Sequence, residues 1–357
     1  MKKKLRIAQI APLWFSVPPK KYGGIERVVA FLTDELVRKG HEVTLFAPPG
    51  SRTKGKLISV YPRPLIDAGI PWTDPFWNLE NLAVAYKGAR DGKFDVIHSH
   101  LDVWTTYFNS LTDVPTVLTM HNALYETKFD ENEDSRIRIF NKNKKDINTV
   151  FISKAMQRTS SVKFPHSRVI YNGIDTSQFT FNPRGGDHFV WASRIDKYKG
   201  IENAIAAAKK SGVKLLLAGR MDPTQRDYFN LRIKPNLSRK IQYVGELTGK
   251  ELAEFFGSAK AFLYPIEWEE PFGLVVAEAM ACGTPVIAHS RGSMPELIRH
   301  GKTGFLTNNL SGVVSAMRQV DSIDRRVVRA HAEMNFRKEL MADRYEDLYY
   351  KLTENKS

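Results

Sequence analysis

One cysteine in 357 residues, Cys282, excludes an internal disulfide and points to a reducing compartment. Its place in an apolar, helix-forming stretch makes it a small buried thiol. Also missing is any uninterrupted apolar run of the roughly 20 residues needed to span a bilayer. The opening Met1-Lys2-Lys3-Lys4 resembles the basic start of a signal peptide. Residues 5–12, however, form a short run interrupted by Arg6 and Gln9, with no small-residue cleavage site behind it. A cytoplasmic protein is expected. Acidic residues fall short as well, 39 against 53 basic ones, for a net charge of +14. Such an excess suits nucleic acid, an anionic membrane surface or an anionic substrate. The basic residues are scattered, with small clusters at 2–4, 20–21 and 142–145, and no RNA-binding or helix-turn-helix signature accompanies them. A solvated basic surface is the favoured reading. No nucleic-acid partner is expected, and peripheral contact with an anionic membrane at the inner face stays open.

The length suits two domains, each with its own core. Residues 5–12 read as a buried strand. Residues 25–39 read as a helix, with Val28, Val29, Leu32 and Leu36 at helical spacing and Gly40 as its stop. With a second strand at 42–48 this is a βαβ unit, and ligands bind at the carboxyl ends of such strands. The glycine spacing is not that of the dinucleotide fingerprint. Residues 50–80, rich in Pro, Trp and Gly, read as a packed loop, 79–90 as a helix and 129–147 as a polar surface segment. Strands at 94–100 and 115–121 each end in a histidine, His100 and His121. Two histidines at equivalent strand ends weigh toward a function, and no neighbouring Cys, Asp or Glu completes a metal site. A linker-like composition at 182–187 precedes a second βα series, with strands at 189–193, 214–219, 241–244 and 261–264. The boundary is drawn between residues 1–172 and 173–341.

The stretch from Tyr264 to Ile287 carries the sharpest signal. Pro271 suits a helix start, and Gly283 with Pro285 ends a helix that is apolar nearly all round yet contains Glu278. A buried carboxylate costs several kcal/mol unless something bonds it. Glu270 stands just before the helix, close to the first N–H groups, those of Phe272, Gly273 and Leu274, which attract anions. A ligand with hydroxyls and phosphates fits. A core Arg or Lys beside Glu278, with Glu270 as a cap, fits equally well. Arg194 and Lys199 follow the first strand of the second half, a planar fork of donors and a point charge suited to a diphosphate. Gly23-Gly24 would let backbone approach the same phosphates without a Cβ in the way.

These motifs together resemble a family-four retaining glycosyltransferase of GT-B architecture. They are Gly23-Gly24-Ile25-Glu26, His98-Ser99-His100, Asn172-Gly173-Ile174-Asp175, Arg194 with Lys199, Val244-Gly245, and Glu270-Pro271-Phe272-Gly273-Leu274 through Glu278 to Ile287. The likeness runs nearly end to end. It implies an α/β fold of two Rossmann-like domains facing an interdomain cleft, with a C-terminal helix, 342–357, crossing back to the first. It implies a nucleoside-diphosphate sugar as co-substrate, UDP-sugar ahead of GDP-mannose. A glycan, lipid-linked or small-molecule acceptor completes the reaction, and neither cofactor nor metal is expected. By position, Arg194 and Lys199 neutralise the departing diphosphate and Glu278 takes the ribose hydroxyls. Glu270 holds a sugar hydroxyl, and the N–H groups of Phe272, Gly273 and Leu274 lie beside sugar and phosphate. Gly23 and Gly24 approach the donor, Val244 flanks the base and His121 touches the sugar near the reacting carbon. His100 and Tyr22 line the acceptor side. Glu270, His121, Arg194 and Lys199 are the expected catalytic set. An epimerase or a glycoside phosphorylase on the same fold, or a basic polyanion- or membrane-binding protein, are the competing readings.

Overall fold

The computed structural model describes residues 3–21, 23–124 and 131–354, with backbone alone for 131–134. Short apolar runs alternating with amphipathic helices drive the chain into two α/β units. Met1–Gly173 and Lys338–Ser357 form one, Ile174–Arg337 the other.

The first unit carries seven strands: β1 (Arg6–Ile10), β2 (Glu42–Phe46), β3 (Lys56–Ile58), β4 (Val96–Ser99), β5 (Thr116–Met120), β6 (Asn148–Phe151) and β7 (Ser167–Val169). They hydrogen-bond in the order β3-β2-β1-β4-β5-β6-β7, every pair parallel. Every residue of β4 and β5 is buried, as strands covered on both faces require. β3 lies in the segment read as loop. Three residues at a sheet edge leave too little pattern to detect.

The second unit has β8 (Phe189–Ala192), β9 (Leu215–Ala218), β10 (Ile241–Gly245), β11 (Ala261–Tyr264), β12 (Val286–His289) and β13 (Gly304–Thr307), in the order β10-β9-β8-β11-β12-β13, again all parallel. In each sheet the chain winds outward one way and then the other. The reversal falls between β1 and β4 in the first unit and between β8 and β11 in the second. Loops leaving those strands diverge to opposite faces and open a crevice at their carboxyl ends. Trp191 on β8 is fully buried, and its indole N–H donates to the Lys199 carbonyl at 3.0 Å. The core therefore holds the first of these loops directly.

The helix Lys338–Glu354 belongs to the first unit. Tyr345 and Tyr349 are buried to 1% and 0% exposure. At its edge Glu346 meets Lys39 at 2.9 Å and His41 at 2.9 Å, and the other ring nitrogen of His41 accepts from Leu5 N–H. No helix among the described residues is long and apolar enough to cross a membrane.

Candidate functional site

In the second unit the loops after β8 and β11 bring Lys199 to Glu270, Nζ to Oε2 at 2.7 Å. Tyr264 Oη and Trp268 Nε1 donate to the same oxygen, at 2.7 and 3.0 Å. The Lys199 ammonium also lies 4.2 Å from the centroid of the Trp268 ring. Three donors thus saturate Oε2, while Oε1 has no partner among the described residues. Burial would raise the Glu270 carboxyl, but the Lys199 charge and the three hydrogen bonds carry it below the ordinary carboxylate range. It is an anion with one oxygen to spare.

The site backbone is set by two glycines. Gly200, at φ 74°, presses on the Pro265 carbonyl, where a Cβ would lie 2.1 Å away. At Gly292, φ 54°, a Cβ would lie 2.3 Å from Glu270 N. Any other residue at either place would push the Glu270 loop outward. Ser293 completes the grip, its N–H donating to the Glu270 carbonyl at 2.9 Å and its hydroxyl to the Phe272 carbonyl at 2.6 Å. The helix that follows runs from Leu274 to Ala281, so Pro271 stands outside it, in the held loop, and not at its first turn. Gly273 is the N-cap residue, and the N–H groups of Gly273 and Leu274 find no acceptor among the described residues. Glu278 is 2% exposed within this helix, and Cys282, equally buried, has its thiol pushed up to about 12 by burial and by Glu278.

Arg194 and Lys199 do not stand as two unpaired cations. Arg194 Nη2 pairs with Asp196 Oδ2 at 3.1 Å, and Lys199 with Glu270. Asp196 in turn caps the turn through Tyr198 N–H at 3.0 Å. Beside them, Glu269 accepts from Gly292 N–H at 2.6 Å and the exposed Glu267 from Asn203 at 2.7 Å, because the β12 loop and the helix after Gly200 both close on that segment. Val244 is 42% exposed at the end of β10.

In the first unit, side chains alternate along the strands, so Gln9, His98, His100, Thr119 and His121 share one sheet face. His100 Nδ1 meets His121 Nε2 at 2.8 Å, and His100 Nε2 meets Gln9 Nε2 at 2.8 Å. His98 bonds Tyr349 Oη at 2.6 Å and Thr119 Oγ1 at 2.7 Å, and Thr119 bonds Tyr345 Oη at 2.7 Å. Burial drives all three imidazoles below their ordinary range, His121 to about 3. All are neutral at pH 7. Gly23 is the N-cap residue of the helix Gly24–Arg38, and Glu26 in its first turn is 2% exposed and raised to about 8 by burial. Tyr22 lies outside the described residues.

Gln9, Glu26, Tyr264, Trp268, Gly292, Ser293, Tyr345 and Tyr349 were not singled out as site residues from sequence. Tyr264 and Trp268 flank Glu270 and could have been found as donors for it. Gln9 had a signal too, a lone amide in an apolar strand. Gly292 and Ser293 carried none.

A model described as Glycosyltransferase Family 4 matches residues 22–178, and one described as Glycosyl transferases group 1 matches residues 176–323. An uncharacterized glycosyltransferase of Methanocaldococcus jannaschii is 26% identical, over 96% of this chain and 94% of its own. Sucrose-phosphate synthase from Thermosynechococcus elongatus superposes with a TM-score of 0.81 at 22% identity, covering 99% of this chain and 100% of that one. The Anabaena protein HepE, solved with UDP and glucose, gives 0.74 at 18% identity over 97% and 100%.

Proposed function

The chain belongs to glycosyltransferase family 4 and has the GT-B fold, and on that premise we propose that it moves a hexosyl group from a nucleoside-diphosphate sugar to a hydroxyl acceptor. UDP-sugar is the favoured donor, in line with the UDP bound by HepE, with GDP-mannose next. The acceptor is a glycan, a lipid-linked sugar or a small molecule. One observation carries the reading: Glu270, charged and with no partner for Oε1 among the described residues, stands at the strand-order reversal beside a helix N-terminus and beside Lys199.

Each group then has a task. Glu270 Oε1 accepts a hydroxyl of the donor sugar. Glu278 takes the ribose hydroxyls, which gives the carboxylate on that apolar helix its reason. Val244 lies against the base. As the anomeric carbon becomes cation-like, negative charge develops on the departing diphosphate. The N–H groups of Gly273 and Leu274 are fixed donors for that charge, and Arg194 and Lys199, held beside them by Asp196 and Glu270, add positive charge. They supply what a metal ion would otherwise supply. Attack from the same face retains the anomeric configuration, with the acceptor proton passing to the departing phosphate. Gly23 and Gly24 allow close backbone approach, and His121 hydrogen-bonds the transferred sugar.

The test is thermal. UDP-glucose or GDP-mannose, without added metal, is expected to raise the melting temperature of the wild-type protein and not of Glu278→Ala. A rise that survives intact in the variant would remove Glu278 from the donor site.

A further inference from the structure

We propose that Gln9 is a positioning residue that fixes, through His100, whether the Nδ1 that His121 offers to its ligand carries the proton. The inference deepens the function proposed above and rests on it for the identity of that ligand. Its own content is a proton position.

Gln9 is wholly buried on β1, and its Nε2 lies 2.8 Å from His100 Nε2. With the amide oriented this way its nitrogen donates, which makes His100 Nε2 the bare, accepting nitrogen and leaves Gln9 Oε1 without a partner among the described residues. The ring is buried and neutral, and so carries one proton, which stands on Nδ1. That N–H donates to His121 Nε2 at 2.8 Å, and the two rings meet edge to edge, their planes 28° apart and centroids 5.1 Å apart. His121, also neutral, then keeps its own proton on Nδ1. His98 takes no part in this relay although its ring lies 4.3 Å from that of His100, because Tyr349 and Thr119 occupy both of its nitrogens.

His121 Nδ1 has no partner among the described residues. With its proton there, the ring is a hydrogen-bond donor and cannot act as a base. It can bond a hydroxyl or ring oxygen of the transferred sugar, and it cannot take the acceptor proton. A lone histidine at a strand end leaves that choice open. Gln9 closes it from two residues away.

Nitrogen NMR of the full chain with ¹⁵N-labelled histidine tests the point directly, with single histidine variants for assignment. The wild-type spectrum is expected to show a protonated Nδ1 and a bare Nε2 for both His100 and His121. A bare Nδ1 in either ring overturns the inference without any Gln9 variant. In Gln9→Met the donor is gone, and the two nitrogens of each ring should drift toward intermediate shifts; unchanged rings in the folded variant also overturn it. Turnover reads the other claim. Losing one hydrogen bond in the transition state should lower kcat about fivefold while the donor KM is kept. Redistributed rings with an unaltered kcat would leave the role of Gln9 standing and sink the contact between His121 and the sugar.

Discussion

Lys199 Nζ and Glu270 Oε2 are 2.7 Å apart, with side chains only 13% and 10% exposed. A pair this buried is weak evidence for stability but a strong constraint on each partner, since removing one leaves the other charged and uncompensated. Lys199→Met should destabilise the second unit by about 3–5 kcal/mol, the range for breaking a buried pair. Lys199→Met with Glu270→Gln should recover part of that loss, because no lone charge remains. Urea unfolding of the wild type, both singles and the double measures the coupling. Independent, additive losses would mean that the contact is incidental. Transfer activity is expected to be lost in all three.

Arg194 reaches the same loop differently. It is 40% exposed and paired with Asp196 at 3.1 Å, so a diphosphate has to compete with that carboxylate. Fixed positive charge matters most where charge develops, on the leaving group. Arg194→Ala is therefore expected to lower kcat by about a hundredfold, the scale for removing one such donor. UDP affinity, measured by calorimetry, should fall less than tenfold. A kcat that barely changes would take the leaving-group role away from Arg194.

The strands and the larger helices could be read from the sequence because burial on both sheet faces leaves short apolar runs, as in β4, β5, β8 and β11. The stretch around Glu270 was legible for the same reason that it is chemical: a carboxylate such as Glu278 in an apolar helix has no local explanation. Distance in sequence hid the rest. Gly292 and Ser293 meet Glu270 only because β11 and β12 are neighbours, and Tyr345 meets Thr119 from 226 positions away. The pairing of Arg194 with Asp196 was missed because a short loop can turn an aspartate either way. The helix after Glu270 starts later than Pro271 suggested because the Gly292–Ser293 turn holds the intervening backbone.

Tyr349 illustrates a part of the fold whose function is support. Its hydroxyl lies 2.6 Å from His98 Nδ1, with both side chains at 0% exposure. Tyr349→Phe keeps the ring and strands that nitrogen in a dry core, a loss of about 1–3 kcal/mol. Circular dichroism melts should show a lowered midpoint for the variant. The melting shift produced by UDP should be unchanged, since Tyr349 bonds His98 and none of the groups proposed to hold UDP. A variant as stable as the wild type would mean that His98 finds another partner.

Acidity separates Glu26 from the histidines, because the signs of their linkages oppose. Burial raises Glu26 from 4.5 to about 8, so the folded state holds a proton that the unfolded chain has released. That contribution is complete below pH 4.5 and is lost as the pH rises through about 8. His98, His100 and His121 are lowered, so the stability they confer is present above about 6.5 and lost as the pH falls, by up to about 1.4 kcal/mol per pH unit for each. Stability should therefore peak between these limbs. Glu26→Gln isolates the alkaline one: it carries no charge to bury, so its stability relative to the wild type should be similar at pH 5 and should rise by about 2 kcal/mol or more by pH 9. Urea titrations at the two pH values decide it. A difference that stays constant would mean that Glu26 ionises in the folded protein as readily as in the unfolded chain.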